Sequence, residues 1–286
     1  MSSDVLTCDY CGYTFSDSRT VCPHCAQPQL FPNVSKATSE KEKDKLNSAF
    51  ETKRQQCVDD DRGDEFSQFY NAVASSHALF ACSLQKLHRE VASGTEVFET
   101  YYQIAELRVQ VTAPAQLDWD KLRPQAEIEL LGTHQNIDKL HYACLSLDWG
   151  SLTGYGDCVV KLKENMIRHR ASCFQGNSAV IYFLESTFDD CLRSCWDDRG
   201  KIAAAVFANR LTPGVPDTKF SSLLVAPGKE SVDDEFIEVH VFGPMTLRTF
   251  AAVNFTANDA GKRKAIYRDA IIEKLDAAGV THNGTG

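Results

Sequence analysis

The chain reads as an α+β protein on three observations. Two Cys-x-x-Cys pairs lie within residues 8–25, a charge-dense and then amphipathic stretch follows, and short apolar runs broken by Gly, Pro, Asn and Asp fill the rest. The sequence thus predicts a small N-terminal module at 1–30 and a charged linker with an amphipathic helical region at 31–105. A mixed or antiparallel two-sheet α+β domain is expected at 106–286. A length of 286 residues suits one large domain or two smaller ones, and 43% hydrophobic with 24% charged residues is ordinary globular composition. The net charge of −9 disfavours a general nucleic-acid coat protein. No apolar run reaches the ~18 residues of a membrane span, so no membrane partner is expected. The start, MSSDVLTCDYC, lacks a basic n-region and an apolar h-region, and a cytoplasmic location is expected.

The N-terminal module is built on Cys8, Cys11, Cys22 and Cys25. Each Cys-x-x-Cys turn points two thiolates into one pocket, and two such knuckles complete a tetrahedral zinc site. Gly12 follows the first knuckle and supplies backbone freedom. So short a segment has no core of its own, so structural Zn2+ would supply its folding energy. His24, inside the second knuckle, is read as a spectator. The module carries Asp4, Asp9, Asp17 and Arg19 but no lysine, which points to a structural or docking ribbon and away from one that grips phosphates. The other seven cysteines are scattered, which suits reduced thiols.

Residues 36–65 hold seven Lys/Arg and nine Asp/Glu, a solvated helix or linker. Phe66, Phe69, Val73, His77, Phe80, Leu84, Leu87 and Val91 then fall at steps of three and four, the spacing of one helix face, with His77 as a core histidine and Gly94 as the stop. ELRVQVTA, ACLSL, CVVKLK, AVIYFL, SSLLVA and FIEVHVF read as strands. Residues 188–208 read as helical. So does the C-terminal end, where Tyr267, Ile271, Leu275 and Ala278 form a stripe capped by Gly279.

Phosphate loops and the hydrolase, kinase and zinc-protease signatures are missing, which leaves three constellations. Gly154, Tyr155 and Gly156 lead into an apolar strand, as a turn or as a close approach for a ligand. Lys161, Lys163, Arg168, His169 and Arg170 form the densest basic patch, followed by Ser172, Asn177 and Ser178; arginines beside small polar groups suit a diphosphate. In DDEFIEVHVFGPM, alternation puts Ile237, Val239 and Val241 on one face, and Phe236, Glu238, His240 and Phe242 on the other. A carboxylate and an imidazole between phenylalanines mid-strand are costly unless that face meets a cleft.

Taken together, CPHC with LFPNV, the LSLD…GYG segment, MIRHRAS…NS and DEFIEVHVFGPMT resemble an uncharacterised bacterial family of ribbon-headed proteins. The order of a YG strand, Arg-Ala-Ser with a following Asn-Ser, and a late aliphatic-Glu strand is similar to divergent ADP-ribosyltransferase-like toxin domains. That resemblance implies NAD held between two small sheets by a transferase acting as an intracellular toxin or defence effector. Glu238 would be the catalytic glutamate with His240 beside it. Tyr155 and Gly156 would lie at the nicotinamide, and Arg170, Ser172, Asn177 and Ser178 on the NAD side. Many such transferases carry Glu or Gln two residues before the catalytic glutamate; here Phe236 stands there, which fits a variant with another macromolecular acceptor, protein or nucleic acid. Two other readings compete. One is a non-catalytic ribbon adaptor, associated with an acidic partner or nucleic acid. The other is a metal-independent RNase using His169, Glu238 and His240 beside Arg170.

Overall fold

The computed structural model describes residues 6–7, 11, 13–15, 21–26, 30–92, 97–102, 121–132, 137–149, 156–256 and 262–283. At the N-terminus β1 (Leu6–Thr7) pairs antiparallel with β2 (Thr14–Phe15). Three helices follow, α1 (Pro32–Ala37), α2 (Glu40–Asp59) and α3 (Gly63–Ala74), then β3 (His77–Cys82) and α4 (Leu84–Ala92). Next come α5 (Arg123–Leu131), β4 (Leu140–Ser146), β5 (Cys158–Leu162), α6 (Glu164–Ile167), β6 (Ala171–Phe174) and α7 (Ser178–Glu185). The remainder is β7 (Arg193–Cys195), α8 (Arg199–Phe207), α9 (Phe220–Leu224), β8 (Val225–Ala226), β9 (Glu235–Phe236) and β10 (Glu238–Phe242). The chain ends in β11 (Phe250–Phe255), α10 (Lys262–Ala277) and β12 (Thr281–His282).

The α+β class holds. In place of two comparable sheets there is one eight-stranded sheet, in the order β12-β11-β5-β3-β4-β10-β6-β7, with the small ladder β8–β9 beside it. Its neighbours are antiparallel except β11 and β12. The sheet forks at its middle. β3 pairs with β4 only through His77–Leu79, against Ser146–Cys144, while Leu79–Cys82 pairs with β5 on the other side. β4 meanwhile follows β10 from Cys144 down to Leu140. Beyond Leu79 and Cys144 the two central strands therefore part.

Both faces are covered. On one, Val239 and Val241 join Phe66, Phe69 and Val73 of α3 and Ile202 of α8 in the larger core. On the other, Leu140, Phe174 and Phe242 pack with Ala126 and Leu130 of α5 and with Phe188. Each such large side chain, fully buried, contributes roughly 1.5–3 kcal/mol. β3 sits inside the sheet, so the segment expected as a linker and helical region supplies one of its central strands.

Several elements differ from expectation. The stripe from Phe66 to Val91 is not one helix but α3, β3 and α4 in succession. Ser75 and Ser76 turn their N–H groups back to Ala72 and Val73 and end α3, and the Ser83 hydroxyl accepts the Lys86 N–H at the start of α4. A spacing of three places His77 and Phe80 on opposite sides of β3. AVIYFL is α7: Asn177 caps it by accepting the Val180 N–H, and Ser186, at φ 59°, closes it. A short apolar run does not by itself distinguish a strand from a buried helix. SSLLVA is mostly α9, with β8 only at its end, and residues 188–208 hold β7 before α8. The charged stretch 36–65 is helical over α2, where only Glu42, Leu46 and Cys57 are buried. ELRVQVTA lies outside the described residues. The C-terminal helix and Gly279, at φ 65°, are as expected.

Gly156 has a packing reason. Its φ is 142°, and a Cβ there would lie 2.2 Å from the carbonyl carbon and oxygen of Cys82. The chain before β5 thus passes directly against the end of β3, where only glycine fits. Gly156→Ala should destabilise the fold by about 2–4 kcal/mol in urea unfolding, as forced strain at a special backbone position does. An unchanged midpoint would show that this crossing is not constrained.

Candidate active site

β10 carries the charged pair that alternation singled out. Glu238 lies opposite Cys144 of β4 and Phe174 of β6, and His240 lies opposite Tyr142 and Ser172. Both side chains are buried, at 4% and 1% exposure, so water does little to stabilise charge on either. The protein supplies donors in its place. His240 Nε2 is 2.8 Å from Glu238 Oε2, and the Ser178 N–H donates to the same oxygen at 3.0 Å. That N–H belongs to the first turn of α7, where the helix dipole also favours negative charge. Burial alone would push the Glu238 carboxyl up, but His240 and the Ser178 hydroxyl and N–H outweigh it and hold the carboxyl below its usual range. Glu238 is a carboxylate at neutral pH.

Glu238 and Asn177 open onto a cavity of about 230 Å³. It occupies the fork of the sheet: Phe80 and Ala81 line it from β3, and His141 and Tyr142 from β4. Lys86, Tyr101 and Arg123 close the lining opposite. The Arg123 guanidinium sits 4.6 Å from the Tyr101 ring centroid and 4.9 Å from that of Tyr142. The Tyr142 hydroxyl donates to Glu127, a buried carboxylate on α5. Burial, followed by the charges of Lys86 and Arg170, pushes the His141 imidazole down to about 3, so it is neutral under ordinary conditions. The cavity lining therefore combines two carboxylate residues, Glu238 and Glu99, with Lys86, Arg123 and several aromatic rings.

The structure joins some expected site residues and separates others. Glu238, His240, Asn177 and Ser178 form one cluster. Arg170 does not join it. Its Nη1 donates to the carbonyls of Phe242 and Pro244 at 2.8 Å each, and its Nε to Met166 at 2.9 Å, so it clamps the end of β10. Ser172 accepts from Asn33 Nδ2 at 3.1 Å, and the same amide lies 3.1 Å from the carbonyls of Arg170 and His240. Ser172 thus docks α1 under the strands instead of facing a ligand. Gly156 is fixed by the crossing described above, and Tyr155 lies outside the described residues. His169 packs against the Phe31 ring at 5.7 Å. Arg123, Tyr101, Tyr142 and Lys86 were not expected here. They come from four separate segments of the chain.

A second cluster lies in the N-terminal module. The sulfurs of Cys11, Cys22 and Cys25 lie within 4.8 Å of one another, and Cys11 Sγ to Cys22 Sγ is 3.8 Å. Tetrahedral zinc with bonds of about 2.3 Å would set its sulfurs about 3.8 Å apart, so the three residues fit such an ion. The His24 N–H donates to Cys22 Sγ at 3.4 Å, while its ring stacks on Tyr13 at 5.0 Å, away from the sulfurs. Cys8 lies outside the described residues. No protein-family model matches the chain, and no curated protein is significantly similar to it.

Proposed function

We propose that the protein cleaves the nicotinamide–ribose bond of NAD in the forked cavity and transfers ADP-ribose to a macromolecular acceptor. The observation that carries this reading is Glu238: a buried carboxylate, held ionised and lining a cavity with aromatic walls. When the N-glycosidic bond breaks, its electron pair leaves with nicotinamide, which becomes neutral. The ribose C1′ is left as an oxocarbenium-like cation. A fixed carboxylate in a poorly screened setting stabilises that cation without reorganising. The acceptor's nucleophile then bonds to C1′ and gives up a proton.

Charge and size support the same substrate class. NAD has a cationic ring and an anionic diphosphate, and the cavity offers Glu238 to one and Lys86 with Arg123 to the other. At about 230 Å³ the cavity is smaller than the ~300–1,000 Å³ of a drug-sized pocket, so it suits a ring with its sugar, the rest extending beyond. His240 is a positioning residue in this scheme, since its contact with Oε2 orients the carboxylate. The N-terminal cysteines would hold a structural zinc apart from the chemistry.

Glu238→Gln keeps a carbonyl to accept the Ser178 N–H and removes the charge. It should lower nicotinamide release from NAD by roughly 100- to 1,000-fold, the usual effect of losing one transition-state electrostatic contact. Equal rates in two proteins folded by circular dichroism would remove Glu238 from the mechanism. For the ribbon, metal analysis should find one zinc per chain, lost in Cys22→Ser, with the α+β part still folded. Purified wild type without zinc would contradict the ribbon reading.

A further inference from the structure

We propose that Arg123, packed against Tyr101 and Tyr142, binds a phosphate of the nucleotide in the forked cavity; this rests on the NAD reading above. The guanidinium lies 4.6 Å from the Tyr101 ring centroid and 4.9 Å from that of Tyr142, and its N–H donors all lie in its own plane. That planar set of donors matches two oxygens of one phosphate, which a lysine ammonium does not. Arg123 is buried at 8% exposure, so its charge acts with little screening.

The clamp is fixed from behind. The Tyr142 hydroxyl donates to Glu127, one turn along α5 from Arg123. Tyr142 further links the clamp to the reacting end: its ring meets the His240 ring edge-on at 5.5 Å, and His240 touches Glu238 at 2.8 Å. A cation and a carboxylate thus face one cavity with a single tyrosine ring and one imidazole between them. Arg170, the arginine that the sequence pattern favours for this task, is engaged with main-chain carbonyls.

The test is calorimetric titration of the full chain with ADP-ribose, which carries the diphosphate but no nicotinamide. Nicotinamide release from NAD by wild type is measured in parallel. Arg123→Gln should weaken ADP-ribose binding by about 10- to 100-fold, as losing hydrogen bonds to a charged group does, and Arg123→Lys by about 10-fold. Tyr101→Leu should also weaken binding while Tyr101→Phe retains it, which carries the test if Arg123→Gln does not fold. Wild type that releases nicotinamide while both Arg123 variants bind ADP-ribose with wild-type affinity would overturn the inference and leave the NAD reading standing. Wild type that neither binds ADP-ribose nor releases nicotinamide would overturn both.

Discussion

A carboxylate in the middle of an eight-stranded sheet is expensive to bury, and much of the surrounding architecture can be understood as meeting that cost. Glu238 is 4% exposed and would lean toward its neutral form if left alone. Two donors converge on its Oε2, one from its own strand and one from the first turn of α7. Asn177 caps α7 by accepting the Val180 N–H, and the first turn of that helix carries the Ser178 N–H that donates to Glu238. β6 brings that cap to the sheet, and Asn33 of α1 ties β6 to β10 through the carbonyls of Arg170 and His240. These contacts fix the orientation of the carboxylate and hold its carboxyl below the usual range.

The fork gives that charge somewhere to act. β3 leaves β4 after Leu79 and follows β5, and the cavity that Glu238 lines lies where these two strands part. The gap becomes a cavity whose walls are the two parting strands, with Arg123, Lys86 and Tyr101 closing it from α5, α4 and the segment after α4. Charges of both signs in so small a space are stable only when each has its own supports. Glu238 has His240 and Ser178, and Arg123 has two tyrosine rings.

What the sequence disclosed depended on range. The alternation through Ile237–Phe242 was readable because strand period is local, and it placed Glu238 and His240 on one face as found. The capping sequence Asn177-Ser178 was equally local, yet AVIYFL beside it reads as a strand because β-branched and aromatic residues are common in both settings. The even spacing from Phe66 to Val91 misled for another reason: helix, strand and helix can together place apolar residues every three or four positions. Arg170 stood out as part of a basic run, and nothing in that run shows that its guanidinium would be taken up by carbonyls of a strand some seventy residues later. The Arg123 clamp was invisible because Tyr101, Arg123 and Tyr142 meet only after the sheet forms.

The central claim is that Glu238 is ionised inside the sheet. It is tested most directly by a pH titration of carboxyl-labelled glutamates followed by NMR, with Glu238→Gln identifying the signal. A folded-state pKa below the unfolded value means that Glu238 stabilises the fold above that unfolded value, near the ordinary 4.5, and that this stabilisation is lost as pH falls through the folded value. The account predicts a Glu238 carboxyl that titrates below the ordinary glutamate range and is fully ionised at neutral pH. A carboxyl that takes up its proton near or above pH 7 would contradict it, because burial would then have prevailed over His240 and Ser178.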